Sequence, residues 1–341
     1  MNPTKPTSAE GIAYARAGLL GNPGDGYGGK AIATTVYDFA ARVTIESGEG
    51  FAIQPNPNDG LTYPSLAQAA KSFEGGGCDD GLRLIRAAVK RFWTLSLDAA
   101  GASNGARRGA HIRYETRIPR QVGLSGSSAL VIATIRALSQ YFDFPVDPFS
   151  LAEAALAAEV EDLGIAAGAM DRVVQSYGGT MVMDLADPRT PDGYRQMPPA
   201  LLPPLFLAWT GDRTKDSGQL HRPLRDRWEQ GDPEVHQVIN ELRSLVDLGI
   251  IALEERNHDE FGRLMTRNFH LRGRIFRITP EDRAMVALAE EHRCPAKLAG
   301  SGGAIVGMIP EYADAEALRE GFEGRGNLFL RPALAPVEWT P

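Results

Sequence analysis

The run Ile118-Pro-Arg-Gln-Val-Gly-Leu-Ser-Gly-Ser-Ser-Ala129 opens directly into an apolar-periodic stretch, Leu130 to Phe142. A Gly/Ser-rich turn at a helix start makes a pocket for an anion. Its small residues let the backbone come close, and the free N–H groups and the positive end of the helix dipole face the charge. Ser127 and Ser128 add hydroxyls suited to Mg²⁺ or to a phosphate oxygen. The Gly-Lys-Ser/Thr ending of a Walker A loop is absent. Taken alone, the turn reads equally as a capped helix start.

Working outward, 341 residues favour two domains over one core. Apolar residues make up 43% and charged residues 23%, as in ordinary globular proteins. A net charge of −7 argues against broad nucleic-acid or anionic-membrane binding, so neither partner is expected. Cys78 and Cys294 are far apart and give no disulfide framework, which fits a reducing cytoplasm. The polar first ten residues lack the apolar core of a signal peptide, and no stretch has the apolar length of a bilayer span. The histidines show no HExxH-type spacing, so no protein-built transition-metal site is expected.

Upstream of the serine turn the chain reads as short strands at Ile12 to Leu20, Ala31 to Tyr37, Ala40 to Ser47 and Phe51 to Gln54. A helix over Asp80 to Leu97 and a strand over His111 to Thr116 follow. Downstream come helices over Ala129 to Phe142, Pro148 to Glu161 (with Asp147 as N-cap) and Gly168 to Tyr177, then a strand over Thr180 to Leu185. Asp187 to Pro204, rich in proline, reads as a linker. A strand at Leu205 to Thr210 precedes three amphipathic helices over Ser217 to Arg277. A helix at Glu281 to His292, a Gly-rich turn at Lys297 to Gly303, a strand at Ala304 to Ile309, a helix at Asp314 to Gly321 and a strand at Leu328 to Ala335 complete the pattern. Strands mixed with helices, without a regular βαβ period, indicate α+β.

Several polar residues interrupt this pattern where chemistry would need them. Gly21-Asn-Pro-Gly-Asp-Gly-Tyr-Gly-Gly29 is either a wide β-turn or a loop whose Asp25 accepts hydrogen bonds from sugar hydroxyls. Gly300-Ser-Gly-Gly303 is either a strand entry needing close backbone approach or a cover over the phosphate loop. Glu159, Glu161 and Asp162, near a helix C-terminus, read as a solvated surface. Asp171 follows a run of small apolar residues and so needs a buried cation, for which Arg16 is the candidate. That pair is either a core salt bridge or a base oriented by an arginine.

In this order, these segments resemble the GHMP kinase superfamily, and within it the glucuronokinases. The resemblance rests on Ala15-Arg-Ala-Gly-Leu-Leu-Gly-Asn-Pro23, Ile118 to Ala129, Gly164-Ile-Ala-Ala-Gly-Ala-Met-Asp-Arg172 with Tyr177-Gly-Gly, Asp216-Ser-Gly218, Asn268-Phe269 and Gly300-Ser-Gly-Gly-Ala304. It implies a two-domain α+β GHMP kinase fold, N-terminal ribosomal-S5-domain-2-like and C-terminal ferredoxin-like, with the active site in the interdomain cleft. The domains would be 1–197, carrying the phosphate loop, and 198–341. ATP and Mg²⁺ are the implied cosubstrates, and a sugar acid the acceptor, D-glucuronate giving glucuronate 1-phosphate. By the resemblance, Gly123, Leu124, Ser125, Gly126, Ser127 and Ser128, with Gly300, Ser301 and Gly302, hold the nucleotide. Asp171 and Arg16 are catalytic, Ser128 and Glu159 ligate the metal, and Gly24, Asp25, Arg172 and Tyr177 bind the sugar. Arg172, Lys215, Arg222 and Arg272 are the cations from which a uronate carboxylate would take its partner. Two departures stand out. The loop runs Gly-Leu-Ser-Gly-Ser-Ser, one residue longer than the common order, and Asn22-Pro23 replaces the Glu-His pair of galactokinases. Galacturonate, a heptose phosphate or fucose remain alternative acceptors. A diphosphomevalonate-decarboxylase-like lyase and a non-catalytic nucleotide-binding protein are the alternatives from other classes.

Overall fold

The computed structural model describes residues 6–54, 61–66, 82–187 apart from 101–107, 189–211 and 218–336. The chain forms two compact units: Met1–Tyr14, Phe39–Ile118 and Gly126–Ala167 in one, Ala15–Asp38, Pro119–Ser125 and Gly168–Pro341 in the other. Strands β1 (Ser8–Leu20) and β2 (Lys30–Ser47) each run through both units and pair with one another.

In the first unit, β3 (Phe51–Ile53) pairs antiparallel with β4 (Leu61–Tyr63) and parallel with β5 (Ala110–Thr116). The second half of β2 pairs antiparallel with β5, Ala41 facing Thr116 and Ser47 facing Ala110. Helices α1 (Arg83–Ala100), α2 (Gly126–Phe142) and α3 (Pro148–Ala157) pack on one another. Ile85, Val89, Phe92, Val131, Ile135, Leu138 and Leu151 are buried, which is the helical spacing the sequence shows. Asp147 caps α3, its carboxylate accepting from the N–H groups of Phe149 at 2.9 Å and Ser150 at 3.0 Å.

In the second unit, the first half of β2 pairs antiparallel with β6 (Thr180–Asp184), and β6 with β7 (Tyr194–Met197). Helix α4 (Met170–Tyr177) precedes β6. A separate antiparallel sheet has the order β11-β8-β10-β9, from Leu328–Leu330, Leu205–Trp209, Ala304–Met308 and Ala296–Leu298. Helices α5 (Gly218–Glu229), α6 (Pro233–Glu254), α7 (His258–Ile275), α8 (Pro280–Glu291) and α9 (Ala315–Gly324) complete the unit. Phe206, Phe269, Met285, Leu288, Cys294, Ile305, Leu318 and Phe322 form a core around the sheet. Each such side chain is worth about 1.5–3 kcal/mol when fully buried. The apolar face of α6, from Val235 through Leu253, therefore outweighs its Asp232 cap, which contributes about 1 kcal/mol.

Four expectations need correction. The two strands read at Ala31 to Tyr37 and Ala40 to Ser47 are one, β2, because the polar interruption at Asp38 is satisfied by the Ala333 N–H at 2.8 Å. The segment read as a linker, Asp187 to Pro204, contributes β7, whose register along β6 runs from Thr180↔Met197 to Met183↔Tyr194. The helix read through Glu161 ends at Ala157 and continues as a π turn, Ala158–Asp162. Strand β9, taken as part of a Gly-rich turn, forms by pairing with β10. Among the described residues no helix is long and apolar enough to cross a membrane.

Candidate active site

Asp171 lies in the first turn of α4, where the helix dipole favours a carboxylate. Arg16, on β1, donates from Nε to its Oδ1 at 2.6 Å and from Nη1 to the Gly123 carbonyl at 2.7 Å. Ser125 donates its hydroxyl to Oδ2 at 2.6 Å, and Gln175 Nε2 in turn donates to the Ser125 carbonyl at 3.0 Å. Ser125 reaches the carboxylate from a left-handed backbone conformation, φ 67°. Arg172 stands 3.7 Å from Oδ2 and donates to the Gly168 carbonyl. Burial pushes the Asp171 carboxyl up, but the Arg16 and Arg172 guanidiniums and the hydrogen bonds from Arg16 and Ser125 outweigh it and hold the group at about 2. The side chain of Asp171 remains 17% exposed against 5% for Arg16. The opening lies on the carboxylate, the arginine being buried.

The loop after β1 forms a single 3-10 turn, Gly24–Tyr27, with Gly24 buried. Asn268 of α7 holds its start, accepting from Gly21 N at 2.7 Å and donating to the Asn22 carbonyl at 3.1 Å. Lys297, fully buried on β9, donates to the Gly18 carbonyl, the Leu298 carbonyl and Asn22 Oδ1. Burial and the neighbouring Arg272 and Arg16 push its ammonium well below the usual lysine value. Asp25 packs against Gly168, where a Cβ would fall 2.2 Å from its Oδ2. Burial first, then repulsion by Asp171, raises the Asp25 carboxyl to about 6 despite Arg16 and Arg172.

The Gly300–Gly303 turn packs on the start of the serine turn. A Cβ on Gly123 would meet Ser301 N at 2.8 Å and Gly302 O at 2.9 Å, and one on Gly300 would meet Gly123 O at 2.1 Å. Asp282 accepts from Gly303 N at 2.9 Å, and Arg272 Nη1 donates to Gly300 O at 2.7 Å.

In the first unit, Ser127 donates its hydroxyl to Glu159 Oε1 at 2.9 Å. Glu159 is wholly buried in the π turn, which corrects the expectation of a solvated acidic surface. The other two acids of that turn are ion-paired to α1, Asp162 with Lys90 and Arg91 and Glu161 with Arg91. Ser128 is buried in α2. No cluster of three metal-binding side chains occurs among the described residues. The Ser127–Glu159 oxygens nonetheless suit Mg²⁺, which takes few protein ligands and completes its shell with phosphate oxygens and water.

Of the remaining expected residues, Tyr177 packs its ring edge-on against Tyr194 of β7, at the far end of α4 from Asp171. Lys215 and the side chain of Arg222 lie outside the described residues. Lys297 and Asp282 were missed. For Lys297 the signal is a charge set in an apolar stretch beside glycines; Asp282, in the charged run Glu281-Asp-Arg283, gives none. Ser125, within the turn expected to hold the nucleotide, has its hydroxyl bonded to Asp171.

An ionised carboxylate held by arginine and serine, beside Gly-rich backbone, is equipped to orient a hydroxyl for phosphoryl transfer. The chain matches the GHMP kinases N-terminal domain over residues 83–179 and the GHMP kinases C-terminal domain over 250–327. It is 34% identical to Glucuronokinase 1 of Arabidopsis thaliana over 365 residues, covering 98% of this chain and 97% of that one. Among solved structures, Lactococcus lactis galactokinase complexed with galactose superposes with a TM-score of 0.77 at 14% identity, over 96% and 94% of the two chains. Methanococcus jannaschii mevalonate kinase does so at 0.74 and 19%, over 97% and 100%. The chain belongs to the GHMP kinase family, and it is a phosphotransferase with an alcohol group as acceptor.

Proposed function

We propose that the protein is an ATP-dependent sugar 1-kinase that phosphorylates the anomeric hydroxyl of D-glucuronate to give glucuronate 1-phosphate. The observation that carries this reading is Asp171, ionised between Arg16 and Ser125 and within electrostatic reach of Asp25. A carboxylate held at about 2 is a weak base, suited to the most acidic hydroxyl of a sugar, the anomeric one. The near full-length likeness to a glucuronokinase supports the same acceptor.

Asp171 orients the anomeric hydroxyl and takes its proton as the bond to phosphorus forms, which suits the loose transition state of phosphoryl transfer. Arg16 fixes that carboxylate and brings positive charge towards the transferring group. Asp25 accepts hydrogen bonds from the other sugar hydroxyls. Gly123 to Ser128 and Gly300 to Gly302 hold the nucleotide, with Ser127, Ser128 and Glu159 as the side chains at Mg²⁺. Bound there with ATP, Mg²⁺ would neutralise charge on the phosphate oxygens. The two family matches fall on either side of residue 197, which supports dividing the chain functionally into 1–197 and 198–341.

The test is ADP release from ATP-Mg²⁺ over glucuronate, galacturonate, glucose, galactose, fucose, a heptose phosphate and mevalonate. Turnover on glucuronate with little on glucose is expected. Silence across the sugars with ATP binding intact overturns the reading.

Asp25 gives this reading a pH signature. Its carboxyl lies at about 6, so protonation on acidification removes an acceptor, and the acceptor KM should rise as pH falls below about 6. Asp25→Asn should flatten that profile at a high KM. A wild-type KM that stays constant from about pH 5 to about pH 8 would remove Asp25 from sugar recognition. Its contribution to stability has the matching sign. A carboxyl raised above its ordinary value favours the fold at low pH and loses that contribution as pH rises through about 6.

A further inference from the structure

Arg272 stands in the last turn of α7, one turn beyond Asn268 and on the same face of the helix. Asn268 holds the loop that carries Asp25, so this face of α7 borders the loop the sugar would use. The Arg272 side chain is 1% exposed. Its Nη1 donates to the Gly300 carbonyl, while Nε and Nη2, both buried, have no acceptor. The Phe276 ring centroid lies 4.4 Å from the guanidinium carbon, a cation–π contact that supplies no oxygen or nitrogen acceptor. Buried N–H groups without acceptors are costly, more so on a charged group.

The two orphaned donors are the side-on edge of the guanidinium, parallel N–H groups at the spacing of a carboxylate's two oxygens. The charges that reach Arg272 are Asp282 and Asp25, which attract it, and Arg16 and the Lys297 ammonium, which oppose it. Asp282 spends Oδ1 on Gly303 N. Arg16 and Arg172, whose charges also reach Asp25, are committed, Arg16 to Asp171 and the Gly123 carbonyl and Arg172 to the Gly168 carbonyl and Asp171.

We infer that Arg272 is the specificity-determining cation of the acceptor site, its Nε–Nη2 edge receiving the carboxylate of the uronic acid. This rests on the uronate-kinase reading above and deepens it. Anionic oxygens from the ATP phosphates share the chemistry of this edge, so the test must separate the two sources.

The experiment compares glucuronate with glucuronamide, its neutral carboxamide, in the wild type, R272Q and R272K, with KM for ATP and thermal unfolding measured on each. The wild type should prefer glucuronate. R272Q should lower the glucuronate-to-glucuronamide ratio of kcat/KM by about 10²-fold, as expected for truncating one side of a buried charge pair. Any loss that R272Q causes through its bond to Gly300 is shared by both acceptors and cancels in this ratio, so glucuronamide turnover should fall less than glucuronate turnover. R272K keeps a charge but not the planar edge, should also lose most of the preference, and carries the test if R272Q does not fold. Equal losses on both acceptors would make Arg272 a structural brace, and a raised KM for ATP with an unchanged acceptor ratio would make it a phosphate anchor; either overturns the inference. A wild type that prefers glucuronate while both variants keep the preference sinks the Arg272 assignment alone. A wild type that phosphorylates a neutral sugar and no uronate sinks the uronate-kinase reading and this inference together.

Discussion

Asp171→Ala should lower kcat by about 10³-fold or more while ATP still binds, since the proposed function sets the residue at the acceptor rather than at the nucleotide. The substitution removes the group that accepts from Arg16 at 2.6 Å and from Ser125 at 2.6 Å. It also leaves Arg16 with an uncompensated buried charge, a loss of about 3–5 kcal/mol for a wholly buried pair and less here, where Asp171 is partly open. Asp171→Asn separates the two effects. It keeps the shape and an acceptor oxygen, so it should melt closer to the wild type, yet it can neither take the proton nor balance Arg16. Loss of turnover in both variants, with nucleotide affinity retained, is the expected pair of results. An unchanged rate in Asp171→Asn would take the residue out of the chemistry. Because the carboxyl is held at about 2, it stays ionised across neutral pH and should add no inflection to kcat there. Its contribution to stability is present above the ordinary carboxyl range and is lost as pH falls through about 2.

What was legible in the sequence was the set of residues that break a pattern. Arg16 interrupts an apolar strand and Asp171 ends a run of small residues, and both follow from the cost of burying charge alone. The glycines at 123 and 300 announced close backbone approach, and the structure brings those two positions against each other. Long periodic helices such as α2, α6 and α7 were also readable, because their stability comes from one apolar face. The unreadable parts depend on partners remote in sequence. β7 and β9 exist because β6 and β10 offer edges to pair with. Lys297 looks like a surface charge until its acceptors at Gly18 and Asn22 are known. Ser125 reads as one more serine of a phosphate loop, and only its left-handed backbone turns the hydroxyl to Asp171. Glu159 read as solvated because no local pattern shows a π turn folding it inward.

Gly300→Ala should cost about 10²-fold in kcat/KM without altering any reacting group, the loss expected when catalytic groups move by about 1 Å. A Cβ at this position would lie 2.1 Å from Gly123 O and 2.8 Å from Arg16 Nη1. Gly123 O is backbone and cannot rotate aside as a side chain would, so relief must come from separating the turn from the loop. That same oxygen accepts from Arg16 Nη1 at 2.7 Å, and Arg16 holds Asp171 through Nε. One methyl group therefore displaces the arginine that orients the base and the loop proposed to hold the nucleotide. Both kcat and the KM for ATP should suffer. Overpacking of this kind costs about 1–3 kcal/mol, so the variant should fold, with a lower melting temperature. Gly324→Ala is the matched control. Nothing lies within 4 Å of a Cβ built there, at the end of α9, and alanine gains up to about 1 kcal/mol over glycine in a helix. It should melt at or above the wild-type temperature with full activity. If Gly300→Ala instead keeps wild-type kcat/KM, the packing of the third glycine turn on Gly123 and Arg16 is not what sets the geometry of the base.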